Sequence, residues 1–254
     1  MEAYESFASV YDMFMEDIDY DMWLEYIKKI CEKYGISPKL GLDLGCGTGN
    51  MTIRMAQSGI DMIGVDISEQ MLSEAVQKSE KEGLKILYLL QDMSEFELYG
   101  TVDIIISLCD SINYVTEPDD LLTVFKLVNN YLDPKGIFIF DVNTEYKFKE
   151  LLGCNNFSQT ADDAAYIWEN FYDEEEKINE YYMNFFIKDA HSEKYNRFEE
   201  FHYERAYGID EIKALLAESG LEFLAVYDAF TFDPPKETSQ RLYFVAREKG
   251  KTRL

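Results

Sequence analysis

Between residues 40 and 49 a short apolar run, Leu40-Gly41-Leu42-Asp43-Leu44, runs directly into Gly45-Cys46-Gly47-Thr48-Gly49. Helical spacing resumes at Ile53, Met55 and Ala56 and stops at Gly59. The pattern is strand, glycine turn, helix. In such a turn backbone N–H groups and a helix N-terminus can approach a ligand closely, because no Cβ stands in the way. Asp66 closes the next apolar run, about where a strand-end carboxylate meets a ribose diol in nucleotide-binding α/β folds.

The alternation set up by this turn continues along the chain. Further strands are expected near Asp61–Val65, Lys85–Leu90, Val102–Leu108 and Ile137–Val142, separated by helices at Glu69–Lys78 and Asp120–Leu132. Runs such as Ile104-Ile105-Ile106 are apolar on both faces, as strands covered by helices on each side must be. Asp133-Pro134-Lys135-Gly136 reads as a tight turn into the strand after it. A helix at Asp210–Ser219 and two closing strands, Glu222–Tyr227 and Arg241–Arg247, bring the sheet to seven strands. The expected fold is α/β, a doubly wound, mostly parallel sheet.

Two segments break the rhythm. Tyr4 to Tyr34 shows helical spacing, through Tyr11, Trp23, Ile27 and Ile30, before any strand begins. Between Tyr166 and Tyr203 aromatics and acids crowd together, and Asn179, Tyr181, Met183, Phe185 and Ile187 share one parity, as in a half-buried antiparallel strand. The expected organisation is a helical cap over 1–36, the α/β unit over 37–150 and 206–254, and an inserted antiparallel β-layer over 151–205 that is expected to form a lid on the acceptor. The acidic run Asp173-Glu174-Glu175-Glu176-Lys177 is a solvated turn within that layer.

With 254 residues and a formal net charge of −25, the chain lacks the lysine and arginine surplus that holds nucleic-acid phosphates. A nucleic-acid partner is disfavoured. Cys31, Cys46, Cys109 and Cys154 form no CxxC pair and no metal-ligand spacing with histidine, which suits reduced thiols, no metal site and a cytoplasmic setting. No apolar run is long enough for a membrane span, and the first residues carry no secretory pattern. Nothing in the residues specifies an oligomeric state.

The choice of nucleotide follows from one position. A dinucleotide fingerprint reads G-x-G-x-x-G/A, but this turn is G-x-G-x-G and Asn50 occupies the site that should be small, which disfavours NAD. Asp43-Leu44-Gly45-Cys46-Gly47-Thr48-Gly49 resembles motif I of the class I, Rossmann-like S-adenosylmethionine-dependent methyltransferases, and Gly64-Val65-Asp66-Ile67-Ser68 resembles their second-strand motif. Gln91-Asp92-Met93 resembles the third-strand end that borders the adenine. Leu108-Cys109-Asp110-Ser111-Ile112-Asn113-Tyr114 resembles the fourth-strand end beside cofactor and methyl acceptor. The ordered set spans roughly residues 40 to 145. More loosely, Phe7-Ala8-Ser9-Val10-Tyr11-Asp12 and the aromatic β-layer are similar to a subgroup that methylates small-molecule amines and amino sugars.

The resemblance implies S-adenosylmethionine as cofactor. Residues implied to hold it are Tyr11, Trp23, Asp43, Gly45, Cys46, Gly47, Gly49, Asp66, Ile67, Gln91, Asp92, Met93, Leu108 and Asp110. Gly45, Gly47 and Gly49 would bracket the methionine part, Asp66 the ribose, and Asp92 with Met93 the adenine. Asp110, Asn113 and Tyr114 would face the acceptor. Packing alone also explains the spacing of Tyr11 and Trp23, and a cap or turn explains Asp92 or Asp110.

The implied activity is methyl transfer to a small molecule, possible acceptors including an amine. A protein that binds the cofactor without turnover, or an RNA or protein methyltransferase, is an alternative. No catalytic base is assigned: His191 and His202 read as ordinary polar residues of the β-layer. Asp233-Pro234-Pro235-Lys236 superficially resembles the D-P-P-Y box of nucleic-acid amino methyltransferases, but it falls between the last two strands and reads as a surface loop.

Overall fold

The computed structural model describes residues 11, 12, 15, 18–161, 163–189 and 192–251. Phe7 to Val10, Phe14 and His191 lie outside them. In chain order the elements are α1 (Tyr20–Lys33), β1 (Leu40–Leu44), α2 (Asn50–Gln57), β2 (Asp61–Asp66), α3 (Glu69–Lys81), β3 (Leu87–Leu90) and β4 (Val102–Ser107). A 3-10 turn (Ser111–Tyr114), α4 (Pro118–Tyr131), β5 (Leu132–Asn143) and a π-helical turn (Lys147–Leu152) follow. Then come β6 (Asn156–Thr160), β7 (Ala164–Asp173), β8 (Ile178–Lys188), β9 (Tyr195–Arg205), α5 (Ile209–Glu218), β10 (Leu221–Asp228) and β11 (Arg241–Glu248).

Seven strands form one sheet in the order β10-β11-β5-β4-β1-β2-β3. β11 runs antiparallel to β5 and β10, and the other pairs are parallel. The fold is Rossmann-like. Strand alternation divides the core into two layers: Phe138, Phe140 and Val142 of β5 pack with Phe125 and Leu216, whereas Ile137 and Ile139 pack with Ile27, Ile30 and Met55. Because β1 leads to β2 on one side and β4 lies on the other, their carboxyl ends open a crevice, the place where such sheets bind ligands.

Local chemistry sets the ends of the helices around that crevice. Asp19 caps α1 by accepting from the Met22 N–H at 2.9 Å. Ser68 caps α3 through the Met71 N–H. At α2 the cap is Gly49, in the left-handed region at φ 77°, where a Cβ would stand 2.7 Å from the Tyr88 hydroxyl. The expected turn at residues 133–136 is instead a bulge inside β5. Val102 already pairs with Leu132, the ladder resumes at Ile104 and Ile137, and Lys135 takes φ 67° to absorb the extra residues.

The inserted segment forms a separate antiparallel sheet in the order β6-β7-β8-β9. Asn179, Tyr181 and Phe185 of β8 are buried on its inner face. Asn113 joins this layer to the main sheet. Its Nδ2 donates to the Asn143 and Arg205 carbonyls, at 3.1 and 2.8 Å, and its Oδ1 accepts from the Asn143 N–H at 2.9 Å. One buried amide therefore holds the chain entering the layer beside the chain leaving it.

Candidate functional site

A cavity of about 770 Å³ lies between the carboxyl ends of β1, β2 and β4 and the inner face of the β-layer. Its floor is the glycine turn. Gly47 lies at φ 53° and an added Cβ would meet nothing within 4 Å, so that Cβ would project into the cavity space. The Gly47 N–H donates to Asp66 Oδ2 at 2.7 Å, and the Ser68 N–H to Oδ1 at 2.9 Å. These bonds brace the turn against the second strand and leave lone pairs on both oxygens. Burial pushes the Asp66 carboxyl up, partly offset by the backbone N–H groups. Asp43 is more deeply placed: burial raises it to about 7 against the Thr52 hydroxyl bond, and the charge of Asp66 adds to the rise.

An acid from the N-terminal segment clasps the turn from outside. Asp12 accepts from Thr48 Oγ1 at 2.7 Å, Asn50 Nδ2 at 2.9 Å and Lys78 Nζ at 2.6 Å. Burial opposes its ionisation, but these partners, Lys78 foremost, hold it below the usual carboxylate range. Asn50, out of place for a dinucleotide turn, is thus a ligand of this clasp. The clasp sets Tyr11 into the cavity wall, near Met15 and Tyr20.

At the far side the backbone is strained. Cys109 and Asp110, consecutive non-glycine residues, both have φ 58°, a conformation that needs enforcement by the surroundings. Arg241 supplies it: its guanidinium pairs with Asp110 at 2.7 Å and with the fully buried Asp141, while Asp141 Oδ2 accepts the Asp110 N–H at 3.1 Å. Lys147 donates to Asn143 Oδ1 at 2.8 Å, and Asn143 donates to Glu204 Oε2 at 3.2 Å. Burial opposes ionisation of Asp110, yet Arg241 and Lys147 keep it below its ordinary value. Burial and the charge of Asp110 push Glu204 well up. The cluster therefore sets an ionised Asp110 beside Glu204, whose ionisation burial and that neighbouring charge oppose, with Tyr114 and Tyr181 against them.

Of the residues singled out in the sequence, Tyr11, Asp43, Gly45, Cys46, Gly47, Asp66, Ile67, Gln91, Asp92, Met93, Leu108, Asp110 and Tyr114 line this one cavity. Three do not. Trp23 is buried with Phe230 and Tyr243, under the Arg241 guanidinium at 5.5 Å, and belongs to the core. Gly49 faces Ala75 and Tyr88, so its missing side chain serves helix packing. Asn113 is fully buried behind the wall, its amide spent on the backbone. The Asp233–Lys236 loop also stands apart from the cavity.

The β-layer contributes what sequence reasoning missed: Trp168, Tyr181, Glu200, His202 and Glu204 all line the cavity. His202, expected as an ordinary surface residue, meets the Tyr114 ring edge-on at 5.8 Å, and burial lowers its pKa. The signal was present in parity. Glu200, His202 and Glu204 alternate along β9 and so share a face.

A glycine turn braced by a strand-end acid, at the switch point of this sheet, defines a Rossmann-like enzyme that takes a nucleoside cofactor. The domain family described as "Methyltransferase domain" matches residues 42–136. YqeM of Bacillus subtilis (strain 168), which carries a methyltransferase name, is 37% identical over 98% of both chains. The solved S-adenosylmethionine-dependent methyltransferase of Clostridium acetobutylicum ATCC 824 is 35% identical, with a TM-score of 0.88 over 98% of this chain and 100% of its own. The fold is shared with the sugar N-methyltransferase KedS8 of Streptoalloteichus sp ATCC 53650, at 18% identity and a TM-score of 0.76 over 95% of this chain and 93% of that one. The chain belongs to the class I S-adenosylmethionine-dependent methyltransferases, and S-adenosylmethionine is its cofactor.

Proposed function

We propose that the acceptor is a small molecule and that the attacked atom is an amine nitrogen. The observation that carries this is the make-up of the acceptor side. An ionised Asp110, the carboxyls of Glu200 and Glu204 and the faces of Tyr114, Trp168 and Tyr181 surround one space closed by the β-layer. Carboxylates and aromatic faces both attract a protonated amine. KedS8, which has the same fold, is named for a sugar N-methyl transfer. Among the described residues no helix is long and apolar enough to cross a membrane.

The cavity suits the cofactor by its shape and donors. Gly47 leaves open the volume a Cβ would fill, Asp66 offers acceptor lone pairs to a diol, and Gln91, Asp92 and Met93 border the adjoining wall. When bound, S-adenosylmethionine supplies an electrophilic methyl group on a sulfonium. The chain's own task is placement, and near-attack positioning removes roughly 7–11 kcal/mol of a barrier. Rings of Tyr11 and Tyr20 in the same wall add about 0.5–2 kcal/mol for a cation over their faces. Asp110, held ionised by Arg241, draws in and orients a cationic acceptor, whose ammonium proton must pass to water before the nitrogen can attack.

Labelled methyl groups from the cofactor, offered with fractionated metabolites and followed by mass spectrometry, test this reading. The label is expected on nitrogen of a small basic compound. Label found only in protein or RNA, or only on oxygen, overturns it. Asp66→Ala is expected to weaken S-adenosylhomocysteine binding at least about ten-fold by calorimetry, and unchanged binding removes Asp66 from the cofactor site.

A further inference from the structure

On the β-layer, away from the Asp110 cluster, the carboxyl of Glu200 keeps a hydrogen-bonding capacity that no described residue satisfies. Glu200 lies in the middle of β9, is 5% exposed and lines the cavity. Its rung of the sheet reads Trp168, Met183, Glu200. Oε1 is buried and accepts no hydrogen bond among the described residues. Burial raises its pKa. Leaving a buried carboxyl oxygen unpaired is costly, and such a group on a cavity wall is a candidate to meet a donor from outside the chain.

The surroundings narrow that donor. Trp168, Met183, Tyr166 and Phe185 line the same cavity, a setting of aromatic rings and a thioether that favours a cation over a neutral hydroxyl. Glu200 and Glu204 share one face of one strand, four residues apart, so their Cα atoms stand about 13 Å apart at the usual strand rise. The Asp110 and Glu204 cluster marks one end of the acceptor space and Glu200 marks a second point along it.

We infer that the methyl acceptor carries a second protonated nitrogen, remote from the reacting one, and that Glu200 recognises it. The inference rests on the amine reading of the acceptor site and extends it to an organic polyamine. Glu200 then acts as a specificity residue: its carboxyl accepts the N–H of the second ammonium group. The reacting nitrogen is left to the far end of the cavity.

The test is calorimetric titration of the protein loaded with S-adenosylhomocysteine. Linear diamines are compared with monoamines and diols of the same chain length, across a series of lengths. In the unaltered protein the best diamine is expected to bind about ten-fold or more tightly than its monoamine. Glu200→Gln is expected to bring that ratio close to one. Glu199→Gln, on the opposite and exposed face of β9, is expected to leave it in place. Unaltered S-adenosylhomocysteine binding and circular dichroism show that Glu200→Gln remains folded. Monoamines that bind as well as diamines, or a diamine preference that survives Glu200→Gln, overturn the inference and leave the amine reading standing. Preference for diols, or no binding by any of the three series, overturns both.

Discussion

Replacing Arg241 by methionine keeps the volume of the side chain's stem and removes its charge. The guanidinium is 16% exposed and bridges Asp110, whose side chain is 20% exposed, to Asp141, which is completely buried. Breaking a buried pair by removing one partner costs about 3–5 kcal/mol, because the surviving charge stays dry and uncompensated. Here two carboxylates are stranded, but Asp110 keeps some water, so the expectation sits at ~3–4 kcal/mol. Loss of the stacking on Trp23 adds about 0.5 kcal/mol. In a chain of this size that corresponds to a fall in Tm of roughly 7–15 °C. Urea unfolding at neutral pH, with calorimetric melting alongside, measures both. Neutralising the stranded acids in an R241M/D110N/D141N variant is expected to restore more than about 1 kcal/mol. A loss under about 1 kcal/mol in R241M, or no recovery in the triple variant, refutes the claim that this charge triad holds the strained turn at Cys109 and Asp110.

Asp43 gives a pH-dependent prediction. Its folded pKa of about 7 against an ordinary 3.8 means that the folded state holds the extra proton between those values, so stability falls as pH rises through that window. The full difference is about 4 kcal/mol, absent in Asp43→Asn, and urea midpoints at pH 5 and pH 8 that run parallel in the two proteins count against it. The glycines separate two roles: Gly49→Ala is expected to lower Tm, since its Cβ meets Tyr88 and Ala75 at φ 77°. Gly47→Ala, whose Cβ enters open cavity, is expected to cost cofactor affinity more than Gly49→Ala does, which calorimetry with S-adenosylhomocysteine decides.

The α/β frame was legible because its signals are local. A doubly apolar run such as Ile104 to Ile106 must be covered on both faces, and a glycine turn followed by a strand-end acid has few other uses. The strand-end residues Asp66, Asp92 and Asp110 were legible for the same reason. Trp23 and Asn113 were not, since helical spacing and a motif position are the same for a residue facing a cavity and one facing the core. The acceptor wall was hidden differently. Glu200 and Glu204 lie far along the chain from the glycine turn, and only the pairing of β8 with β9 and the seam at Asn113 bring Glu204 beside Asp110 and Glu200 into the same cavity. Asp12 shows the same limit, because its partners Thr48, Asn50 and Lys78 come from other elements.

The seam made by Asn113 gives the protein a modular character. On the proposed reading the donor pocket is built mainly on the turns of the parallel sheet, and the β-layer adds Trp168, Tyr181, Glu200 and Glu204 to an acceptor side begun by Asp110 and Tyr114. Substitutions along β7 to β9 can thus reshape what is methylated without disturbing the donor pocket, and grafting a different four-stranded layer between Asn143 and Arg205 amounts to fitting a new tool to an unchanged handle.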